Sequence, residues 1–220
     1  MILFRLFFLL TILGLFTLLI LGIISSQRRS SSRKKKPYFI VDEKLRGILD
    51  QLTENIIPID IHELKILGWA KKVIKKTRQY ESGYLSTIFQ EHLISYLLTY
   101  SKGGKKYLIA NSSQGAYHFL YKGHKTMVIE AGQEIGEINE QLTYSLKDGS
   151  DEYHVIPSDG QQGIIKKGER ELASYNLGPI GQKIAISDRY FNYVNSVNDD
   201  EMRHLVALSI YLLLLNNKST

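Results

Sequence analysis

The run Leu205-Val206-Ala207-Leu208-Ser209-Ile210-Tyr211-Leu212-Leu213-Leu214-Leu215 constrains the fold more than any other part of the chain. Asn198 stands where an N-cap belongs, with Glu201 at the capping-box spacing. Asp199 and Asp200 suit the positive end of the helix that follows. The body of that helix is apolar on almost every side. A surface helix carries a polar face, so one without it must be buried all round or lie in lipid. Its length, ~16 Å at ~1.5 Å per residue, falls well short of a ~30 Å bilayer core. The rest of the chain must therefore enclose it, with Asn216 and Asn217 ending it.

The enclosing material is legible upstream. Short runs rich in β-branched and aromatic residues alternate with glycine-bearing breaks, and they predict strands over 107–111, 116–121, 125–131, 142–146, 153–156, 163–166, 172–175 and 183–187. The breaks carry Lys122-Gly123, Ala131-Gly132, Asp148-Gly149, Asp159-Gly160, Lys167-Gly168 and Gly178-Pro179. Asp-Gly between alternating runs is a hairpin signal, because a type I′ turn needs positive φ at both central residues. Close spacing with no helix between the strands gives an antiparallel meander, which tends to curl and close and so to remove its edges. Residues 84–100 stay ambiguous: they are rich in strand formers, yet Leu85, Ile88, Phe89 and Tyr96 also fit helical steps.

Residues 38–80 read as mostly helical. Val41, Leu45, Ile48, Leu49 and Leu52 recur at three- and four-residue steps. After Pro58, Asp60 and Glu63 have capping-box spacing. Leu64, Leu67 and Val73-Ile74 would then face inward, and Lys71, Lys72, Lys75, Lys76 and Arg78 outward. The expected class is α+β: an N-terminal transmembrane helix (1–26), a basic juxtamembrane linker (27–37), a helical segment (38–80), and an antiparallel barrel-like domain (81–220) around its C-terminal helix.

Residues 6–24 are apolar apart from Thr11, Gly14, Thr17 and Gly22, long enough to cross a bilayer as a helix. A cleaved signal has a shorter apolar core and a small-residue cleavage site, and early positive charge on the mature side opposes export. An uncleaved anchor fits better. The linker holds Arg28, Arg29, Arg33, Lys34, Lys35 and Lys36, equal to the whole formal excess of +6, so the remainder is near neutral. By the positive-inside rule the domain faces the cytoplasm. These six cations are the candidate lipid-headgroup contacts. Nucleic-acid binding would rest on this one short run beside a membrane span and is not expected.

A closed antiparallel domain threaded by a wholly hydrophobic C-terminal helix is an uncommon combination. Residues 181–188, Asn198-Asp199-Asp200 and the helix 205–215 resemble the end of the tubby-like barrel of Tubby proteins, phospholipid scramblases and LURP-one-related proteins. The resemblance covers about residues 84–217. It implies membrane or phosphoinositide association in some members and lipid movement in others. No functional residue transfers, because the basic lipid-pocket positions, cysteine cluster and calcium loop of those proteins have no match here.

Nothing in the sequence forms a catalytic motif. Cysteine is absent, which removes disulfides, thiolate metal sites and cysteine nucleophiles. His62-Glu63 lacks the second histidine of a zinc-protease helix. His118, His124 and His154 have no carboxylate spacing that joins them. Gly132-Gln133-Glu134-Ile135-Gly136 lacks the strand–helix setting of a dinucleotide fingerprint, and its glycines read as turn residues. Asp148-Gly149-Ser150-Asp151-Glu152 reads as an exposed turn rather than a calcium loop. Lys122, Lys125, Lys166 and Lys167 are scattered among tyrosines that suit a packed sheet. No metal or cofactor is expected. The expected function is a membrane-anchored, non-enzymatic binding module whose ligand is anionic lipid or a protein partner. The alternatives are an enzyme with a dispersed site and a structural or assembly protein of the membrane.

Overall fold

The computed structural model describes residues 43–100, 106–158, 162–176 and 188–216. The chain divides into two units, 1–43 and 44–220, and all the described residues except Glu43 belong to the second. The expected anchor, the basic linker and the strand expected at 183–187 lie outside them. No helix among the described residues is long and apolar enough to cross a membrane.

Twelve antiparallel strands follow one another in sequence order: β1 (Leu67–Lys76), β2 (Tyr80–Thr87), β3 (His92–Tyr100), β4 (Lys106–Ser112), β5 (Gly115–Lys122), β6 (Lys125–Glu130), β7 (Gln133–Asn139), β8 (Thr143–Leu146), β9 (Glu152–Ser158), β10 (Gln162–Lys167), β11 (Arg170–Asn176) and β12 (Phe191–Val194). The meander curls until its ends meet. Tyr190 N–H donates to Leu67 O at 2.7 Å and Trp69 N–H donates to Asp188 O at 2.9 Å, around a Gly68–Arg189 bridge. The result is a nearly closed barrel, as the spacing of the strands predicts.

Helix α1 (Glu43–Thr53) and the single turn α2 (Ile61–Lys65) precede the barrel, and α3 (Asp199–Tyr211) fills it. Both expected capping boxes form. The Asp60 carboxylate accepts from the Glu63 amide, and the Asn198 side chain accepts from the Glu201 amide at 2.9 Å. Along α3, Leu205, Val206, Ala207, Leu208 and Ile210 have no exposed surface. They belong to one core with inward residues such as Tyr96, Tyr117, Phe119, Val128, Ile165 and Leu172. The helix widens into a π-helical turn over Leu212–Asn216. Enclosure replaces the missing polar face with strand side chains, each fully buried leucine contributing roughly 1.5–3 kcal/mol.

Three expectations need correction. The helical stretch over 38–80 ends at Lys65, because residues 67–76 are β1. Val73 and Ile74, expected inside, are 40% and 52% exposed. A Cβ on Gly83 would lie 2.0 Å from Lys72 O, so glycine lets β1 and β2 approach closely enough to pair there. Second, the type I′ turn forms at Ala131-Gly132 (φ +48° and +78°) and not at Asp148-Gly149, where only the glycine has positive φ. Third, the glycine-bearing segment after Gly132 is β7, not a turn: a Cβ on Gly136 would lie 2.7 Å from the Tyr144 ring. The ambiguous 84–100 region holds the rest of β2 and β3.

Strands β2 and β3 are buried on both faces from Glu81 to Thr87 and from Leu93 to Leu98. Leu49 and Leu52 of α1 are also buried. Thr53 Oγ1 lies 3.0 Å from Ser95 Oγ and accepts from Asn111 Nδ2 at 2.9 Å. Helix α1 thus packs outside the barrel, as α3 packs inside.

Candidate functional site at the two mouths of the barrel

In a sequential meander alternate turns fall at opposite ends. The β2–β3, β4–β5, β6–β7, β8–β9 and β10–β11 turns share one mouth; the β1–β2, β3–β4, β5–β6, β7–β8 and β9–β10 turns share the other. Helix α3 runs inward from the first. Tyr117, near the start of β5, donates to Arg203 O at 3.3 Å, whereas Tyr211 packs near Phe119, toward the far end of the same strand.

The first mouth is acidic and closely knit. The Glu201 carboxylate, 3% exposed, accepts from the Arg170 guanidinium, and Lys167 lies 3.6 Å away and 2.7 Å from Asp151. Burial pushes the Glu201 carboxyl up, but Arg170, the Asn198 amide and Lys167 together bring it below the ordinary range. Arg203 donates to the nearly buried Glu130. Burial lowers His204 against the opposing pull of Asp200, and its Nδ1 shares a hydrogen bond with the Tyr144 hydroxyl at 3.2 Å. The acidic first turn also faces the positive end of the α3 dipole. Each of these groups ties the helix to a strand end, so the arrangement holds the filler in place.

The second mouth is basic. Lys72, Lys75, Lys76 and Arg78 are exposed at the end of β1 and its turn, and Lys122 and Lys125 flank the β5–β6 turn. Glu81, 1% exposed at the start of β2, accepts from Lys71 at 2.7 Å, Lys76 at 3.2 Å and the Tyr96 hydroxyl at 3.1 Å. Burial raises its carboxyl, and those three donors outweigh burial and leave it below the ordinary range. Lys125 pairs with Glu137, and His124 with Glu140 at 2.7 Å. Val73, Ile74 and Tyr121 expose 40%, 52% and 41% of their surface at this end.

The candidate headgroup contacts Arg28, Arg29, Arg33, Lys34, Lys35 and Lys36 lie outside the described residues. The histidines do not converge. His118 bonds the Tyr107 hydroxyl at 2.6 Å, His124 sits at a turn, His154 lies beside Thr143 and Glu152, and His62 is exposed on α2. No group of three or more metal-ligating side chains converges among the described residues. In the acidic loop Asp148 accepts from the Ser150 amide and hydroxyl, Asp151 pairs with Lys167, and Glu152 accepts from Ser145. The lysines that look scattered in sequence sort by mouth, Lys122 and Lys125 to the basic one and Lys166 and Lys167 to the acidic one. Alternation of hairpin turns was the signal that could have found this.

No protein-family model matches the chain, and neither a curated protein nor a solved structure matches it.

Proposed function

We propose that this protein is a membrane-tethered, non-enzymatic binding module of the tubby-like barrel type, held by residues 6–24 with its barrel on the cytoplasmic side. One observation carries the reading: a long apolar run is followed at once by six cations that equal the net charge of the chain. Strand order and the enclosed helix support the comparison with tubby-like barrels. The interior is occupied by the side chains of α3. Recognition of a ligand, anionic lipid headgroups on this reading, therefore falls to the outer surface, the mouths and the basic linker.

The test is extraction of the full chain from membranes at alkaline pH. The chain is expected to stay with the bilayer until detergent is added. Replacing Arg28, Arg29, Arg33, Lys34, Lys35 and Lys36 with glutamine should scramble its orientation, read by protease protection. Release by alkali alone would overturn the reading.

A further inference from the structure

We infer that the basic mouth is the face the barrel lays on an anionic bilayer. The inference deepens the tethered-module reading and rests on it.

The β1–β2 hairpin carries the first part of the case. Beyond Lys71 every residue of β1 is exposed, in the order Lys72-Val73-Ile74-Lys75-Lys76, and Arg78 follows in the turn. Its register with β2 slips between Val73 and Lys75, so Ile74 is an extra residue on the β1 side. Exposed branched apolar residues between cations make an interfacial segment. Ammonium and guanidinium groups meet headgroup phosphates while the apolar side chains enter the acyl boundary. Glu81 is the carboxylate that pairs with Lys76, and it is buried under Lys71 and Lys76. Lys72, Lys75 and Arg78 have no carboxylate partner among the described residues. The β5–β6 hairpin brings Lys125 and the exposed Tyr121 ring to the same end.

Chain direction supplies the second part. Thr53, the last residue of α1, bonds Ser95 and Asn111 near the acidic mouth. The Arg46 charge near the helix start bears on Tyr107, at the beginning of β4 and so at the basic mouth. Helix α1 therefore runs with its Thr53 end toward the acidic mouth and its Arg46 end toward the basic one. The third part is repulsion. Asp148, Glu152, Glu169, Asp199 and Asp200 stand exposed at or beside the acidic mouth, and an anionic surface disfavours that end.

The chain has no native cysteine, so single-cysteine variants of the full protein report position directly. An environment-sensitive dye is placed at Ile74→Cys, at Phe89→Cys in the β2–β3 turn, or at Ser31→Cys in the linker. Each variant is reconstituted in vesicles of phosphatidylcholine alone or mixed with phosphatidylserine, with brominated lipid as quencher. Quenching at position 74 is expected to rise at least ~3-fold with phosphatidylserine and to fall back in high salt. Position 89 should stay unquenched in both. Adding Lys72→Gln, Lys75→Gln and Arg78→Gln, which spares both Glu81 pairs, should lower the docked-to-undocked ratio on the order of tenfold.

Equal quenching at 74 and 89, or quenching at 74 that ignores phosphatidylserine, overturns the inference. Quenching at 31 but not at 74 overturns it and leaves the tether standing. Quenching at neither position overturns both.

Discussion

The two mouths of this barrel are built from the same kind of turn yet use charge in opposite ways. At the acidic mouth Glu201, Glu130 and His204 are withdrawn from water, and the pairs Glu201–Arg170, Arg203–Glu130 and His204–Tyr144 each tie the filling helix to a strand. At the basic mouth one buried carboxylate, Glu81, takes two of the lysines, and other cations stand in solvent. A charge held in a dry network stabilises a fold, while a charge left in water is free to attract something else. The contrast gives the first mouth an architectural role and, on the proposed reading, leaves the second for recognition.

The largest effect expected from this contrast is at Tyr144. It is fully buried against His204 and Tyr153, so Tyr144→Ala should cost about 3–5 kcal/mol in chemical denaturation. Tyr121→Ala at the other mouth should cost less than about 0.5 kcal/mol. Equal losses would erase the distinction. Next come the ion pairs. Arg203→Gln strips the nearly buried Glu130 of its guanidinium and should cost roughly 1–3 kcal/mol. Lys125→Gln breaks an exposed pair and should change stability by less than about 0.5 kcal/mol.

The smallest effect is a pH dependence. His204 takes its proton at lower pH in the barrel than in the unfolded chain, so its contribution is lost as pH falls below ~6.5. Glu201 and Glu81 have depressed folded values. Their contribution is full above the unfolded carboxylate range of ~4.3 and is lost as pH falls through the folded ones. Unfolding midpoints from pH 8 to 4 should therefore fall first in the His204 range, and His204→Gln should flatten that first segment. An unchanged profile in that variant would remove His204 from the account.

How much of this was legible depends on what each strand faces. Strands β5, β9 and β10, with one covered and one wetter face, show the alternation that betrays them, whereas β7 alternates too but carries the glycine that made it read as a turn. Strands β2 and β3 are covered on both faces, so their pattern is uniformly apolar and fits a helix equally well. The far half of β1 is wet on both faces, and Lys71-Lys72 with Lys75-Lys76 imitates a helical stripe. The short β12, Phe191–Val194, was too brief to give a pattern. Helix α3 was legible because nothing else satisfies a rod with no polar side. The sorting of charge between the mouths was not, since it leaves no local spacing and emerges from counting turns only once every strand, β7 included, is placed.

The helix that fills the barrel follows, in the chain, every strand that surrounds it. During synthesis the whole sheet is therefore made before the segment that will cover its inner lining. Until residues 199–215 emerge, Tyr96, Phe119, Val128 and Leu172 have no cover from within, and a product cut short at residue 198 should aggregate. Each new strand finds its partner next to it in sequence, so strand edges pair as they emerge and the inner lining is what stays uncovered in this interval.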